Sequence, residues 1–438
     1  MMNVLITRIM FPAGMSGENI SFARTSGGIP VLVEKIPGSE SAGYMVGVRT
    51  GSRDESKDVM GISHLLEHVV FRETENYTSY QMSKVMEGAG GEMNAFTGRE
   101  MTAFFAVTIK ETKDIAKNAV ADVVAAPLIK EDGTEMEKKI VIQELSMIEN
   151  EPEMYIQDLF LSNMWRGHPL SQDEGGKIDI VKGLDHNDLR KYYEERYGAP
   201  NLCVFAAGDV DKKNVLSWAE ENFDPLSGKM NIKRERPSVP KASYSFTKNK
   251  SEHYHAAMGF PAYDPDHPDR VPLMILSAII GSGTSSRLFQ EVREKKALVY
   301  SVYNKVEQHS DAGIMYTTLS STEENLIEAI ETTAKVYADI RDNGLEKEEL
   351  RRTKNLLKGA IVRSMESTDR HLYRLGIEYL LSGKYQTMSE RLKGISDVSE
   401  EDVMRVAGDV IKGSTLNVSV LGRKNKDIEK FNVSRLDL

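Results

Sequence analysis

The sequence predicts an α+β protein of two homologous domains, each a mostly antiparallel sheet flanked by helices. Three observations lead to this prediction. The chain has 438 residues, more than one ordinary hydrophobic core accommodates. A stretch rich in Pro, Lys, Arg and Ser interrupts it near the midpoint. A Leu-x-Val-x-(Ala/Val)-x-Gly pattern at residues 202–208 returns at residues 416–422, which indicates an internal repeat.

We therefore expect an N-terminal domain at residues 1–228, a linker at 229–243 and a C-terminal domain at 244–438. In the first domain, runs of β-branched and aromatic residues predict strands, and apolar residues at helical spacing predict helices. The predicted strands are 29–34, 44–48, 103–109 and 202–208, and the predicted helices are 61–71, 80–87, 115–124, 134–150 and 211–223.

The composition narrows the class of protein. Hydrophobic residues make up 40% and charged residues 28%, as in globular proteins. The net charge of -10 argues against nucleic acid or an anionic membrane as the main partner. The single cysteine, Cys203, cannot form an intrachain disulfide, so we predict a reducing, cytoplasmic location. No apolar run is long enough to span a membrane, and the N-terminus does not resemble a signal peptide.

The most informative stretch is His-Leu-Leu-Glu-His at residues 64–68. On a helix, His64, Glu67 and His68 lie on one face, and the remaining circumference is apolar. Ionisable groups on a buried helix need a partner, and a divalent metal suits two imidazoles. Zinc takes imidazole nitrogen and carboxylate oxygen and keeps one position open for water. Glu67 would accept the proton of that water.

Two histidines cannot complete a catalytic zinc site, so a third ligand must lie elsewhere. On the predicted helix 134–150, Glu144 and Glu137 fall at the centre of the apolar stripe, where an acid must be protonated, paired or metal-bound. Glu144 is therefore the best third ligand that the sequence offers. Glu137 has two compatible interpretations, namely a capping box with Thr134 and support of the site.

The inverted motif His-x-x-Glu-His, followed by Glu144, resembles the pitrilysin and insulinase family of zinc peptidases, the inverzincins. The chain length is similar to that of the short-chain group, which includes mitochondrial processing peptidase subunits and their prokaryotic relatives. The resemblance implies that His64, His68 and Glu144 bind one zinc ion per chain, that Glu67 is the general base, and that Glu137 supports the site.

The resemblance also assigns substrate-binding residues. From spacing alone, residues 88–109 indicate a hairpin, in which Asn94 could donate to a carbonyl. The family resemblance implies that Asn94 and Ala95 lie on an edge strand that holds peptide by main-chain pairing. Arg293 and Tyr300 match a pair that holds substrate and stabilises the oxyanion. Without the resemblance they would be a solvated helix residue and a strand residue.

These matches imply a zinc-dependent endopeptidase that acts on peptides or unfolded segments. Long-chain members close four such domains as a clamshell, so a two-domain chain implies a homodimer in which each site takes Arg293 and Tyr300 from the partner. One alternative is the catalytic subunit of a heterodimer with a metal-free paralogue. The other is a non-catalytic assembly subunit of a membrane complex, although such subunits usually lose the zinc motif.

Overall fold

The computed structural model describes residues 19–229, 232–436 and 438, and it confirms the predicted α+β class with two sheets. The strands are β1 (Ile20–Arg24), β2 (Pro30–Lys35), β3 (Ser41–Val48), β4 (Glu92–Thr97), β5 (Thr102–Ile109), β6 (Leu202–Gly208), β7 (Ser243–Lys248), β8 (Tyr254–Ala262), β9 (Val299–His309), β10 (Ala312–Ser321) and β11 (Asn417–Gly422).

The helices are distributed over both halves of the chain. They are α1 (Ile62–Val70), α2 (Ser79–Gly88), α3 (Lys113–Ala125), α4 (Glu131–Glu149), α5 (Pro152–Met164), α6 (Ile178–Gly183), α7 (His186–Arg196), α8 (Lys212–Phe223), α9 (Arg270–Gly281), α10 (Leu326–Asn343), α11 (Lys347–Ser364), α12 (Thr368–Ser382), α13 (Met388–Asp397), α14 (Glu400–Val410) and α15 (Lys426–Glu429). Among these helices, none has the length and apolar character needed to cross a lipid bilayer.

The two sheets share one topology. The first has the strand order β1-β2-β6-β3-β5-β4, and the second has the order β7-β11-β8-β10-β9. β6 is parallel to β2 and β11 is parallel to β7, whereas the remaining pairs are antiparallel. The repeated sequence pattern occupies β6 and β11, which are corresponding strands. If β1 is left out, the five remaining strands of the first sheet correspond one to one, in the same order, to the five strands of the second sheet.

Each sheet is covered on one face by a helix from the other half of the chain. Leu372, Leu375 and Tyr379 of α12 pack on the first sheet. In return, α5 packs on the second sheet, where the ring of Phe160 stacks on Tyr316 with 4.9 Å between centroids. Because β3 and β6 are covered on both faces, they are almost continuously buried, as their uninterrupted apolar sequences require.

A buried ion-pair network also joins the two halves. The Arg53 guanidinium binds both carboxylate oxygens of Asp311 at 2.7 Å and one oxygen of Glu100 at 2.5 Å. Nearby, Arg234 pairs with Asp54 and donates to the main-chain oxygen of Glu100. Arg234 lies in the stretch 232–242, which has no helix or strand and separates α8 from β7. The network attaches the β4–β5 turn to the second half of the chain.

Candidate metal centre

The start of α1 is fixed by a buried carboxylate. Glu55 accepts hydrogen bonds from the main-chain N–H groups of Gly61 at 2.7 Å and Ser63 at 2.8 Å. Burial raises the pKa of Glu55 to about 7, against the opposing effect of these two hydrogen bonds. Gly61 has φ +93°, and a Cβ there would lie 2.5 Å from the oxygen of Gly175, so only glycine fits. Helix α1 therefore begins at a defined position.

The apolar side of α1 faces the core, where Leu65, Leu66, Val69 and Val70 are fully buried. The residues on the opposite side, His64, Glu67 and His68, are half-buried, as the helical spacing predicts. The rings of His64 and His68 lie 4.8 Å apart between centroids, at 81° to each other. Their sequence spacing of one helical turn thus brings both imidazoles to the same place.

Helix α4 brings a carboxylate to the two imidazoles. Oε2 of Glu144 lies 3.8 Å from Nε2 of His64 and 3.5 Å from Nε2 of His68. One potential ligand atom from each of the three residues lies within 4.8 Å of the others. Two imidazole nitrogens and one carboxylate oxygen form a donor set that zinc prefers in catalytic sites. The structure therefore brings together the three side chains that the sequence predicts as ligands.

The nitrogen of His68 that faces away from Glu144, Nδ1, also has a carboxylate partner. This Nδ1 lies 3.2 Å from Oε2 of Glu137, whose other oxygen is 3.5 Å from the Arg72 guanidinium. Burial alone would lower the pKa of His68, but the hydrogen bond to Glu137 and the charges of Glu67 and Glu144 raise it overall. A neighbouring carboxylate of this kind fixes the orientation of a ligand histidine and increases its basicity.

His64 lies in a different electrostatic environment. Burial, and secondarily the charge of His68, lowers the pKa of His64 to about 4. At neutral pH the imidazole of His64 is therefore uncharged, as metal ligation requires.

The carboxylate of Glu67 binds a residue that the sequence analysis missed. The hydroxyl of Thr97 donates to Oε2 of Glu67 at 2.5 Å. Burial raises the pKa of Glu67, while the hydrogen bond from Thr97 and the charge of His68 act in the opposite direction. Alternation along the strand places Thr97 on the same face as Ala95, but its contact with Glu67 depends on how β4 packs against α1, which the sequence alone does not show.

The structure corrects two expectations about α4. The helix begins at Glu131 rather than near Thr134, whose hydroxyl donates to the oxygen of Lys130 within the first turns. The capping-box interpretation of Glu137 is therefore wrong. The predicted apolar stripe is also only partly buried, since Ile140 is 46% and Met147 67% exposed. These two side chains lie on the open side of the helix that also carries the predicted metal ligand.

β4 lies at the edge of the first sheet and pairs with β5 alone, as the edge-strand prediction requires. The exposed side chain of Asn94 accepts a hydrogen bond from the main-chain N–H of Ala95 at 2.9 Å. Met93 and Ala95 pack against the core that contains α1, so the side chain of Asn94 lies on the opposite face of the strand. Substrate binding by Asn94 and Ala95 stays a prediction.

Arg293 and Tyr300 lie in the second half of the chain. The Arg293 guanidinium lies over the rings of Phe289, at 4.9 Å, and Tyr300, at 5.9 Å. The side chain of Tyr300 is 78% exposed. Within the described residues, no hydrogen bond, ion pair or ring contact connects Arg293 or Tyr300 with the metal-binding cluster. The structure thus brings this pair together but does not join it to the cluster.

The second domain has apolar residues where the first has its histidines. Helix α9 follows β8 as α1 follows β3, and its residues Leu276, Ile279 and Ile280 are fully or almost fully buried. In the part of the chain that the structure describes, His64, His68 and Glu144 form the one cluster that could hold a metal ion.

Comparison with known proteins identifies the family. The profile of "Insulinase (Peptidase family M16)" matches residues 30–174, and that of "Peptidase M16 inactive domain" matches residues 183–357. An uncharacterized zinc protease of Streptomyces coelicolor is 30% identical over 405 residues, which cover 90% of this chain and 88% of the relative. The chain belongs to the M16 peptidase family. The predicted resemblance is confirmed, and the first M16 profile spans all the residues of the candidate metal centre.

Solved structures extend the M16 similarity to the fold. The structure titled peptidase M16 inactive domain from Pseudomonas fluorescens has a TM-score of 0.86 at 18% identity, and covers 93% of this chain and 98% of its own. A chain in the structure of complex III2 from Candida albicans has a TM-score of 0.82 at 17% identity, with 95% and 98% covered. Because a chain titled as an inactive peptidase domain and a chain of complex III2 both share this fold, the activity of this protein must be argued from its site residues.

Proposed function

We propose that the protein is a zinc-dependent endopeptidase that hydrolyses peptides and unfolded segments. The observation that carries this proposal is the convergence of His64, His68 and Glu144 within 4.8 Å, with the carboxylate of Glu67 on the same helix face. The name of the Streptomyces coelicolor relative, a zinc protease, supports zinc as the metal.

Zinc held by these three side chains would polarise a scissile carbonyl and bring the pKa of a water molecule towards neutrality. Glu67 accepts the proton of the attacking water and returns it to the leaving amine. Glu137 holds His68 in the orientation and tautomer that leave Nε2 free for ligation. Burial raises the pKa of Glu67, which favours its role as a proton acceptor.

The free edge of β4 supports an extended peptide as the substrate. An edge strand presents unpaired main-chain N–H and C=O groups, with which an added strand can pair. Asn94 and Ala95 would take part in this pairing, and the side chain of Asn94 would release the N–H of Ala95. A peptide or an unfolded segment suits this pairing, because most main-chain groups of a folded protein are already paired.

We propose a homodimer in which each active site receives Arg293 and Tyr300 from the second copy. The exposure of Tyr300 and the lack of a described contact between this pair and its own metal-binding cluster favour this arrangement. The two side chains would donate hydrogen bonds to the substrate and to the developing oxyanion. The buried single cysteine, Cys203, is compatible with the proposed cytoplasmic location.

The same observation about Arg293 and Tyr300 favours a second candidate, the catalytic subunit of a heterodimer with a metal-free paralogue. The two candidates differ in whether the purified chain cleaves alone. The fold shared with a chain of complex III2 would suit a non-catalytic assembly subunit. The complete set of His64, His68, Glu144 and Glu67 argues against that role, because it would serve no purpose there.

The decisive experiment measures hydrolysis of a fluorescence-quenched library of unfolded peptides at known zinc content. Wild type should cleave, whereas Glu67→Gln with equal zinc should not. Glu75→Gln, which changes an exposed glutamate outside the cluster, serves as the matched control and should retain activity. Zinc-loaded wild type that does not cleave would exclude the homodimeric enzyme and leave the heterodimer, which a screen with candidate paralogues tests.

A further inference from the structure

We infer that Thr97 is a positioning residue for peptide hydrolysis, whose hydroxyl holds one carboxylate oxygen of Glu67 and so directs the other oxygen at the attacking water. The inference rests on the proposed peptidase function. It concerns how the general base is aimed, and it gives a role to a residue for which the sequence analysis predicted none.

The contact itself is short and specific. The hydroxyl of Thr97 donates to Oε2 of Glu67 at 2.5 Å. In the described part of the chain, no other hydrogen bond or ion pair to the carboxylate of Glu67 is present, so Oε1 is free to meet a water. Rotation about the terminal bond of a glutamate side chain has only broad preferences, so one fixed oxygen determines where the other lies.

The strand that carries Thr97 directs its side chain towards α1. Side chains alternate along β4, and Met93 and Ala95 pack on the core cluster that contains α1. Thr97 continues this series. Phe96 points to the other face, where its ring stacks on Tyr373 with 5.7 Å between centroids. The hydroxyl therefore reaches Glu67 because of the strand register and not through a flexible loop.

The turn after Thr97 is held by the segment that leads to α1. The N–H of Ser52 donates to the oxygen of Gly98 at 3.3 Å, and the N–H of Arg53 donates to the oxygen of Arg99 at 2.8 Å. A Cβ on Gly51 would lie 2.1 Å from the oxygen of Gly98, so this close approach requires glycine.

The same segment continues into Glu55, which fixes the start of α1. Thr97 and Glu67 are thus positioned against one common segment, 51–55. β4 is also the strand whose free edge would pair with the peptide. A rigid link between this strand and Glu67 would keep the carboxylate at a fixed distance from the main chain of the bound peptide.

The test compares Thr97→Val with Thr97→Ser at matched zinc content. Valine has nearly the shape of threonine but cannot donate a hydrogen bond, so kcat should fall about 10- to 100-fold while KM stays within about twofold. Serine keeps the hydroxyl and should recover most of kcat. Thr112→Val is the control, because it removes a threonine hydrogen bond to the oxygen of Ala89 and should leave kcat and KM unchanged.

Each outcome separates this inference from the proposed function. A loss of kcat in Thr97→Val that Thr97→Ser recovers supports the positioning role. Equal kcat for Thr97→Val and wild type would overturn it and leave the peptidase proposal intact. A similar loss in both variants would assign the effect to packing, and a rise in KM alone would assign it to substrate binding, so either result overturns the inference. Absence of cleavage by zinc-loaded wild type would exclude the proposed homodimeric enzyme instead, and the same variants would then be compared in the complex with the paralogue.

Discussion

Nδ1 of His68 lies 3.2 Å from Oε2 of Glu137, while Nε2 of the same ring faces Oε2 of Glu144 at 3.5 Å. Both acids belong to α4 and are two helical turns apart, so they lie on one face. One helix therefore holds the imidazole at both nitrogens. Any shift of α4 would move the predicted ligand and its support together.

Glu137→Gln should weaken zinc binding about 10- to 100-fold, because a neutral amide orients His68 less firmly and does not increase its basicity. Competition with a chromogenic chelator measures the dissociation constant. Glu135→Gln is the matched control, since Glu135 is an exposed residue of the same helix that pairs with Lys138 and, in the described part of the chain, has no hydrogen bond or ion pair with His68. Equal zinc affinity in Glu137→Gln and wild type would contradict a supporting role for this acid.

Glu144→Gln should lower the zinc content of the purified protein, because an amide oxygen is a weaker and uncharged ligand. Elemental analysis after dialysis against a weak chelator measures the occupancy. Glu149→Gln, at the exposed end of the same helix, controls for the change of net charge. If both variants retain as much zinc as wild type, Glu144 does not belong to the ligand set.

A residue of this site can be predicted from the sequence when a pattern in its own segment indicates it, and not when its role depends only on contact with a distant segment. His64, Glu67 and His68 have a local signal, since helical spacing alone places them together, and Glu144 could be proposed because an acid among apolar residues needs a partner. Thr97 could not be found this way, because its contact with Glu67 depends on how β4 packs against α1. Such tertiary contacts between distant segments leave no periodic signature in one sequence.

Prediction of the fold is limited in the same way, because local elements can be predicted and their packing against distant elements cannot. The strand at 202–208 and the repeat at 416–422 were predicted from apolar pattern, and both are central strands. The reciprocal packing of α5 and α12 on the sheet of the other half could not be predicted, because the apolar face of a helix does not reveal which sheet it covers. The start of α4 was misplaced by three residues because Thr134 resembles a cap, although it lies inside the helix.

If active sites are shared between copies, mixing Glu67→Gln protein with Arg293→Ala protein should restore activity. Each mixed dimer would have one site with both defects and one intact site, so equal mixing restores about a quarter of wild-type activity. Peptide hydrolysis after subunit exchange measures the recovery. Glu67→Gln mixed with the Glu67→Gln/Arg293→Ala double variant contains no intact site and should stay inactive. A verified mixed dimer without recovery would place each site within one chain.

Asp311→Ala should lower the free energy of unfolding by about 1–3 kcal/mol, because it leaves a buried guanidinium with fewer partners. The side chain of Arg53 is only 1% exposed, and Asp311 supplies two of its hydrogen bonds from the other half of the chain. Urea unfolding measures the change. Glu348→Gln, which removes an exposed ion pair with Arg351, should leave the free energy of unfolding almost unchanged. Equal effects of the two variants would contradict an energetic role for the network.

His309, at the end of β9, should contribute to acid sensitivity. Burial is the main cause that lowers its pKa from 6.5 to about 4, and its Nε2 has no hydrogen-bond partner within the described residues. Between these two pH values the unfolded chain binds a proton that the folded protein does not. The free energy of unfolding therefore falls as pH decreases through this window, by about 2–3 kcal/mol for this group.

His309→Gln removes this titration, so its melting temperature should fall less than that of wild type between pH 6.5 and pH 4. Above the window the two proteins should respond to pH in parallel. His253→Gln, which replaces an exposed histidine, should follow the wild-type curve. Metal release at low pH affects all three proteins alike, because none of the changes touches His64, His68 or Glu144. Parallel curves for His309→Gln and wild type across the whole range would show that this imidazole is not held neutral by burial.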